Sequence, residues 1–169
     1  MFFLQCVEDE EEEEEEEDMK ERREAVPNAE FTLVALLKAC AKKKDLQEGI
    51  RIHDEIRRDG GILQKNPYLA STLVNMYVKC GMLPEAEQVL ESLPVRDVVS
   101  WSALISGYSY SHAHAHKVFD SLDDMRREGL SPNAITFTGI FKACGDIGNI
   151  GYGERMHDEI VKRRLLMET

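Results

Sequence analysis

No paired cysteines, no long apolar run and few chain breakers occur in this 169-residue sequence. The four cysteines, Cys6, Cys40, Cys80 and Cys144, stand far apart with no C-x-x-C spacing. They supply neither a zinc ligand set nor the disulfide framework of a small secreted domain, and they suit a reduced intracellular compartment. No apolar stretch approaches the ~18 residues of a membrane span. The opening MFFLQCV is too short for a signal-peptide core, and the acidic stretch after it is the opposite of an organelle transit peptide. Five prolines and eleven glycines leave room for long elements, and 43% hydrophobic with 31% charged residues describes a globular body. Basic excess is missing as well, which argues against a nonspecific nucleic-acid binder.

The net charge of −11 is a local property. Residues 8–18 read EDEEEEEEEED, and without these eleven the chain holds 21 acidic and 21 basic residues. A block of like charges repels itself and buries nothing, so residues 1–28 are expected to form a disordered acidic segment.

What is present is repetition. RIHDEI at 51–56 returns as RMHDEI at 155–160, and FTLVALLKAC at 31–40 returns as ITFTGIFKAC at 135–144, both 104 residues on. Apolar positions recur at helical spacing from residue 29 onward. In AEFTLVALLKACAKK a stripe of Phe31, Val34 and Leu37, with Leu33 and Leu36 beside it, is followed by small Ala39 and Cys40. DLQEGIRIHDEIRRDGG supplies a second helix, with Asp45 and Glu48 as a capping box and Gly60 and Gly61 as its stop. The same helix-turn-helix pattern recurs, with Pro84 suited to a first helical turn. The predicted units are 29–66, 67–97, 98–133 and 134–169. One hairpin cannot bury its apolar face alone, so repeats of ~20–50 residues imply a stacked array. The expected fold is all-α, a superhelical solenoid of about four helical hairpins. Its last helix should leave an apolar face uncovered.

These units resemble pentatricopeptide repeats (PPR), in the subclass that alternates long, short and standard types. FTLVALLKACAKKKDLQEGIRIHDEI (31–56) is similar to the long type, LASTLVNMYVKCGMLPEAEQVLESLPVRD (69–97) to the short type, and VVSWSALISGY with MRREGLSPN to the standard type. The segment from Ala134 is similar to a second long type, truncated near its end. Tetratricopeptide repeats would need Trp, Leu-Gly and Tyr at positions that do not line up here. The resemblance implies sequence-specific binding of single-stranded RNA in a chloroplast or mitochondrion, one base per repeat. It implies a non-catalytic module in RNA processing, editing or other modification, with editing or processing proteins as further partners. It implies neither a cofactor nor a small-molecule substrate.

In such repeats the fifth residue and the last residue contact the base edge, and the second packs on its flat face. That register assigns Tyr68, Ser71 and Asp97 to the short repeat and Val99, Ser102 and Asn133 to the standard one. Ile135 and Thr138 take the second and fifth places of the final repeat, and Val34 the fifth place of the first. A hydroxyl donates and accepts, a carboxylate only accepts, and an amide does both. By the family's pairing rule, Ser with Asp implies guanine and Ser with Asn implies adenine, giving a core of 5′-GA-3′. The standard unit is one residue longer than usual, within SYSHAHAH.

Other motifs have plainer readings. His112, His114 and His116 lack further ligands and read as a solvated turn, not a metal site. The glycines of GDIGNIGYG follow a helix and lack the Gly-Lys-Ser/Thr ending of a phosphate loop, so they read as a flexible turn. His53 and His157 share one repeat position and read as partly buried packing residues. Trp101 reads as core, and Cys40 and Cys144 as one small apolar position. The pairs Arg57–Arg58, Arg126–Arg127 and Arg163–Arg164 suit both the helix dipole and phosphate contact. No nucleophile, paired acid or metal set emerges, and the H-x-E and P-C-x-x-C motifs of zinc deaminases are absent. A protein-binding helical scaffold remains the competing reading, since concave solenoid surfaces serve that purpose too.

Overall fold

The computed structural model describes residues 29–167, and side chains as far as Arg164. The acidic segment anticipated at 1–28 lies outside the described residues. Helix α1 occupies 29–43, followed by α2 (Leu46–Arg58), the single turn α3 (Ile62–Lys65), α4 (Pro67–Lys79) and α5 (Leu83–Ser92). Then come α6 (Val98–Ser109), a 3-10 turn (His112–His114), α7 (Ala115–Arg127), α8 (Ala134–Ile147) and α9 (Ile150–Met167). Among the described residues there is no strand.

The hairpins α4–α5, α6–α7 and α8–α9 stack so that α6 lies between α4 and α8. That position explains its composition. Ser100, Trp101, Ser102, Leu104, Ile105, Tyr108 and Ser109 are all buried, because a central helix is covered on more than one side. The outer helix α2 is covered on one side only, and its buried residues are Gly49, Ile52 and Ile56, a single stripe at helical spacing. One continuous core runs through the stack, with Leu37, Ile52, Leu73, Met76, Leu104, Leu122, Met125 and Ile140 fully buried.

Local chemistry fixes the starts and turns. Asn66, Asp97 and Asn133 each precede an inner helix, and each side chain accepts a hydrogen bond from a backbone N–H three residues on. Asp97 with Ser100, and Asn133 with Thr136, form reciprocal capping boxes. The inner helices α1, α4 and α8 close with the same bond: Asp45 N donates to Cys40 O, Met82 N to Tyr77 O, and Asn149 N to Cys144 O. Gly148 supplies the left-handed residue of the last such turn at φ 70, and Lys44 takes that conformation at φ 56 in the first.

Several expectations change. Phe31 and Leu36 are 79% and 42% exposed, outside the core stripe, which runs through Val34, Leu37 and Cys40. Glu48 does not complete a capping box; its carboxylate pairs with Arg51. GGILQK is not a plain stop, since Gly61 opens α3. GDIGNIGYG is mostly helical: Gly145 belongs to α8, Gly151 and Gly153 to α9, and only Gly148 and Asn149 form the turn. SYSHAHAH holds a 3-10 turn at His112–His114, where all three side chains are exposed.

Candidate nucleic-acid interface

One apolar residue in the first turn of each inner helix points outward. Phe31, Tyr68, Val99 and Ile135 are all more than half exposed. An isolated exposed apolar side chain needs no explanation, but one at the same place in four successive helices does. A groove of about 400 Å³ gathers Tyr68, Ser71, Val99, Ser102, Asn133 and Ile135, together with Lys38 and Lys79. Six of the nine residues assigned by register thus share one surface, and buried Val34 is not among them. Asp97 and Thr138 do not line it: Asp97 is half-buried at the start of α6, and Thr138 is exposed with its hydroxyl donating to Ala134 O.

Within the groove the polar groups are tightly held. Ser71 Oγ donates to Tyr68 O at 3.1 Å, and Ser102 Oγ lies 2.5 Å from Val98 O. Both serines are almost fully buried. Ser102 Oγ is also 3.1 Å from Asn133 Oδ1 and 3.0 Å from Thr136 Oγ1, so the fifth and last residues of that repeat touch. Asn133 Oδ1 accepts from Thr136 N at 3.0 Å, and Asp97 Oδ1 accepts from Ser100 N at 2.8 Å. Capping therefore consumes one atom of each head group. What remains for a ligand is a donor, Nδ2, on Asn133 and an acceptor, Oδ2, on Asp97.

Register reasoning overlooked four residues: Lys38 and Lys79, which line the groove, and Phe31 and Asn66, which hold equivalent repeat positions outside its lining. Phe31 matches Ile135 at the 104-residue offset, which could have identified it. Asn66 holds the place of Asp97 and Asn133, but its amide donates to Glu30 Oε2 at 2.8 Å. Lys38 Nζ lies 2.5 Å from Tyr68 Oη and 5.0 Å from the Tyr68 ring centroid, and Lys79 joins it on the rim. Val34 is buried.

Elsewhere Trp101 and several arginines find structural partners, whereas His157, expected to be partly buried like His53, is exposed. Trp101 is buried, with Nε1 donating to Glu128 Oε2 at 2.9 Å, and Arg96 pairs with the same carboxylate. Arg126 and Arg163 both reach Glu159, and Arg163 donates to Pro132 O, so these cations tie the third hairpin to the fourth. Burial pushes the Cys40, Cys80 and Cys144 thiols up, away from nucleophilic thiolates. Burial, then the hydrogen bond to Glu87, pushes Tyr108 up to about 12. Burial raises Glu87, but hydrogen bonds from Lys117 and Tyr108 outweigh it and hold that carboxyl below its ordinary range. Among the described residues no three His, Cys, Asp or Glu side chains could hold a metal ion.

Sequence comparison matches a PPR repeat at residues 31–61 and 69–98 and the PPR repeat family at 96–146. The chain belongs to the pentatricopeptide-repeat family. A chloroplastic pentatricopeptide repeat-containing protein of Arabidopsis thaliana is 38% identical over 146 residues, 86% of this chain and 23% of its own length. Chloroplastic CRR2 of Arabidopsis thaliana is 36% identical over 140 residues, 83% of this chain and 21% of its own. The chain thus spans under a quarter of these relatives. The crystal structure of maize PPR10 superposes with a TM-score of 0.65 at 23% identity, over 79% of this chain and 19% of that one. That likeness establishes the helical-repeat solenoid.

Proposed function

We propose that this PPR array binds single-stranded RNA in a sequence-specific way, with 5′-GA-3′ at the centre of its site. The observation that carries the reading is the groove itself. Exposed apolar side chains recur once per repeat and alternate with buried, pre-oriented polar groups. Bases stacked between Tyr68, Val99 and Ile135 would present their edges to the last residues of the repeats.

The capping chemistry supports the two-base word. Guanine carries N1–H and N2–H donors on its pairing edge, which suit the free oxygen of Asp97. Adenine N1 accepts, which suits Asn133 Nδ2, while its N6–H can be accepted by Ser102 Oγ, whose own proton faces Val98 O. Lys38 and Lys79 offer cations to the phosphates on the groove rim. The array acts as a non-catalytic recognition module in organellar RNA processing or editing, placing a target site before a recruited protein. The chloroplastic names of two relatives support a chloroplast over a mitochondrion.

Titrating short fluorescent RNAs by anisotropy tests the binding itself. Replacing Tyr68 by Ala removes the largest stacking surface and should weaken binding about 5- to 150-fold, the equivalent of ~1–3 kcal/mol per stacked base. RNA affinity unchanged by Tyr68→Ala, or absent at low salt, would favour a protein-binding scaffold instead.

A further inference from the structure

Ser102 and Asn133 are joined by a hydroxyl that lies outside the groove. Thr136, in the first turn of α8, has no exposed surface and sits behind the residues that line the groove. Its Oγ1 is 3.0 Å from Ser102 Oγ of α6 and donates to Asn133 Oδ1 at 3.0 Å. The spacing of the two helices is fixed close by. One turn further along α8, a β-carbon on Gly139 would lie 3.2 Å from Ile105 Cγ2 and 3.5 Å from Ile105 O, so α6 and α8 meet there almost backbone to backbone. Proton accounting then decides what the pair presents. Ser102 has one hydroxyl proton, and Val98 O at 2.5 Å takes it in preference to Asn133 Oδ1 at 3.1 Å. Asn133 Oδ1 is served from α8 instead, by Thr136 N–H and Thr136 O–H, both at 3.0 Å. Two donors on one side require the oxygen there, so Nδ2 is turned away from them. The serine is left with a lone pair and the asparagine with an N–H, an acceptor beside a donor. Without the Thr136 hydroxyl, Oδ1 would draw the Ser102 proton off Val98 O, and the serine would no longer be set as an acceptor.

We propose that Thr136 is a positioning residue for the second base: it does not touch RNA, but its hydroxyl sets the Ser102–Asn133 pair to accept from and donate to adenine. The other capped helices show that this is not general cap chemistry. The equivalent of Thr136 in α4 is Leu69, which has no hydroxyl. In α6 it is Ser100, whose Oγ donates to Asp97 O at 3.0 Å and leaves the Asp97 carboxylate to the backbone. Among the described residues Ser71 Oγ bonds only Tyr68 O. The first base is therefore met by two independent side chains and the second by a coupled pair, organised before the ligand arrives. The assignment rests on the RNA reading and adds a residue to it.

The test titrates short single-stranded RNAs that carry GA, GG or AA at the centre, for the full chain, Thr136→Val, Thr136→Ser and Ser100→Ala. Valine keeps the shape of threonine without its hydroxyl. Thr136→Val should cut the preference for adenine over guanine at the second base about fivefold, the worth of one ordinary hydrogen bond, and leave the first base unaffected. Thr136→Ser, which keeps the hydroxyl, should hold the preference within about twofold of the unsubstituted chain. Ser100→Ala also removes a capping hydroxyl, so it should lower the melting temperature as Thr136→Val does, yet leave both base preferences unchanged. In the RNA-free chain, nitrogen relaxation should show a rigid Asn133 side-chain amide whose order parameter falls in Thr136→Val. An unaltered preference or an equally rigid amide in Thr136→Val would overturn the assignment. So would equal losses of preference in Thr136→Ser or Ser100→Ala, which would make the effect one of bulk or of general damage. Indifference of the unsubstituted chain to the second base would overturn the RNA reading and the role of Thr136 with it, whereas the amide measurement judges the Thr136 geometry separately.

Discussion

Gly49 and Gly153 stand at one repeat position in different surroundings, so the same substitution should act oppositely on them. Each is the fourth residue of its helix, α2 or α9. Replacing either with Ala gains about 0.8–1 kcal/mol of helix propensity, and that gain cancels in the difference between the variants. The environments do not cancel. The new methyl at 49 would sit 2.5 Å from the sulfur of Met76, a side chain with no exposed surface into which to swing. Overpacking of this kind costs roughly 1–3 kcal/mol. The new methyl at 153 meets only ordinary contact at 3.7 Å. Gly153→Ala should therefore stabilise the chain by close to the full propensity gain, and Gly49→Ala should leave it unchanged or weaker. With about 2–4 °C per kcal/mol for a chain of this size, the two variants should melt roughly 2–12 °C apart. Thermal unfolding followed by far-ultraviolet circular dichroism measures this. If Gly49→Ala melts at or above Gly153→Ala, the packing argument is wrong.

Two other substitutions probe the frame. Lys44 adopts the left-handed conformation that Gly148 supplies in the last hairpin. Lys44→Gly should relieve about 1–2 kcal/mol of strain against about 0.5–1 of lost entropy, a net gain near 0.5–1 in denaturant unfolding; a loss would contradict the turn assignment. Burial, followed by the Arg57 charge, lowers the pKa of His53, so the unfolded chain binds the proton more readily than the folded one. The stability His53 contributes is therefore present above its unfolded value of about 6.5 and is lost as pH falls through its lower folded value. His53→Gln should flatten that part of the melting-temperature profile; an unchanged profile would place the titration elsewhere.

The hairpins were legible because their signals are local: the Asp45 cap, Pro84 in a first helical turn, apolar positions at helical spacing and the 104-residue echo. Sidedness was less legible. Phe31 fits the apolar period of α1 yet is largely exposed, since periodicity names a face but not which neighbour covers it. His53 and His157 sit in the near-identical stretches RIHDEI and RMHDEI, and only His53 meets a tyrosine. The glycines at 151 and 153 looked like a turn because composition outweighed register; in the fold both belong to α9 and Gly153 lines an open groove. In the groove, register brought six assigned residues together. It did not reveal that capping would consume Oδ1 of Asn133 and Asp97, which depends on side-chain geometry.

The most direct test of RNA recognition compares binding of short single-stranded RNAs that differ only in a central GA, for the chain and for Asn133→Asp. The substitution keeps an oxygen for the cap but exchanges the free donor for an acceptor. The account predicts that the chain prefers GA and that Asn133→Asp shifts the second base toward guanine, leaving the first unchanged. RNA binding that is indifferent to the central bases, or a preference unmoved by Asn133→Asp, would contradict it.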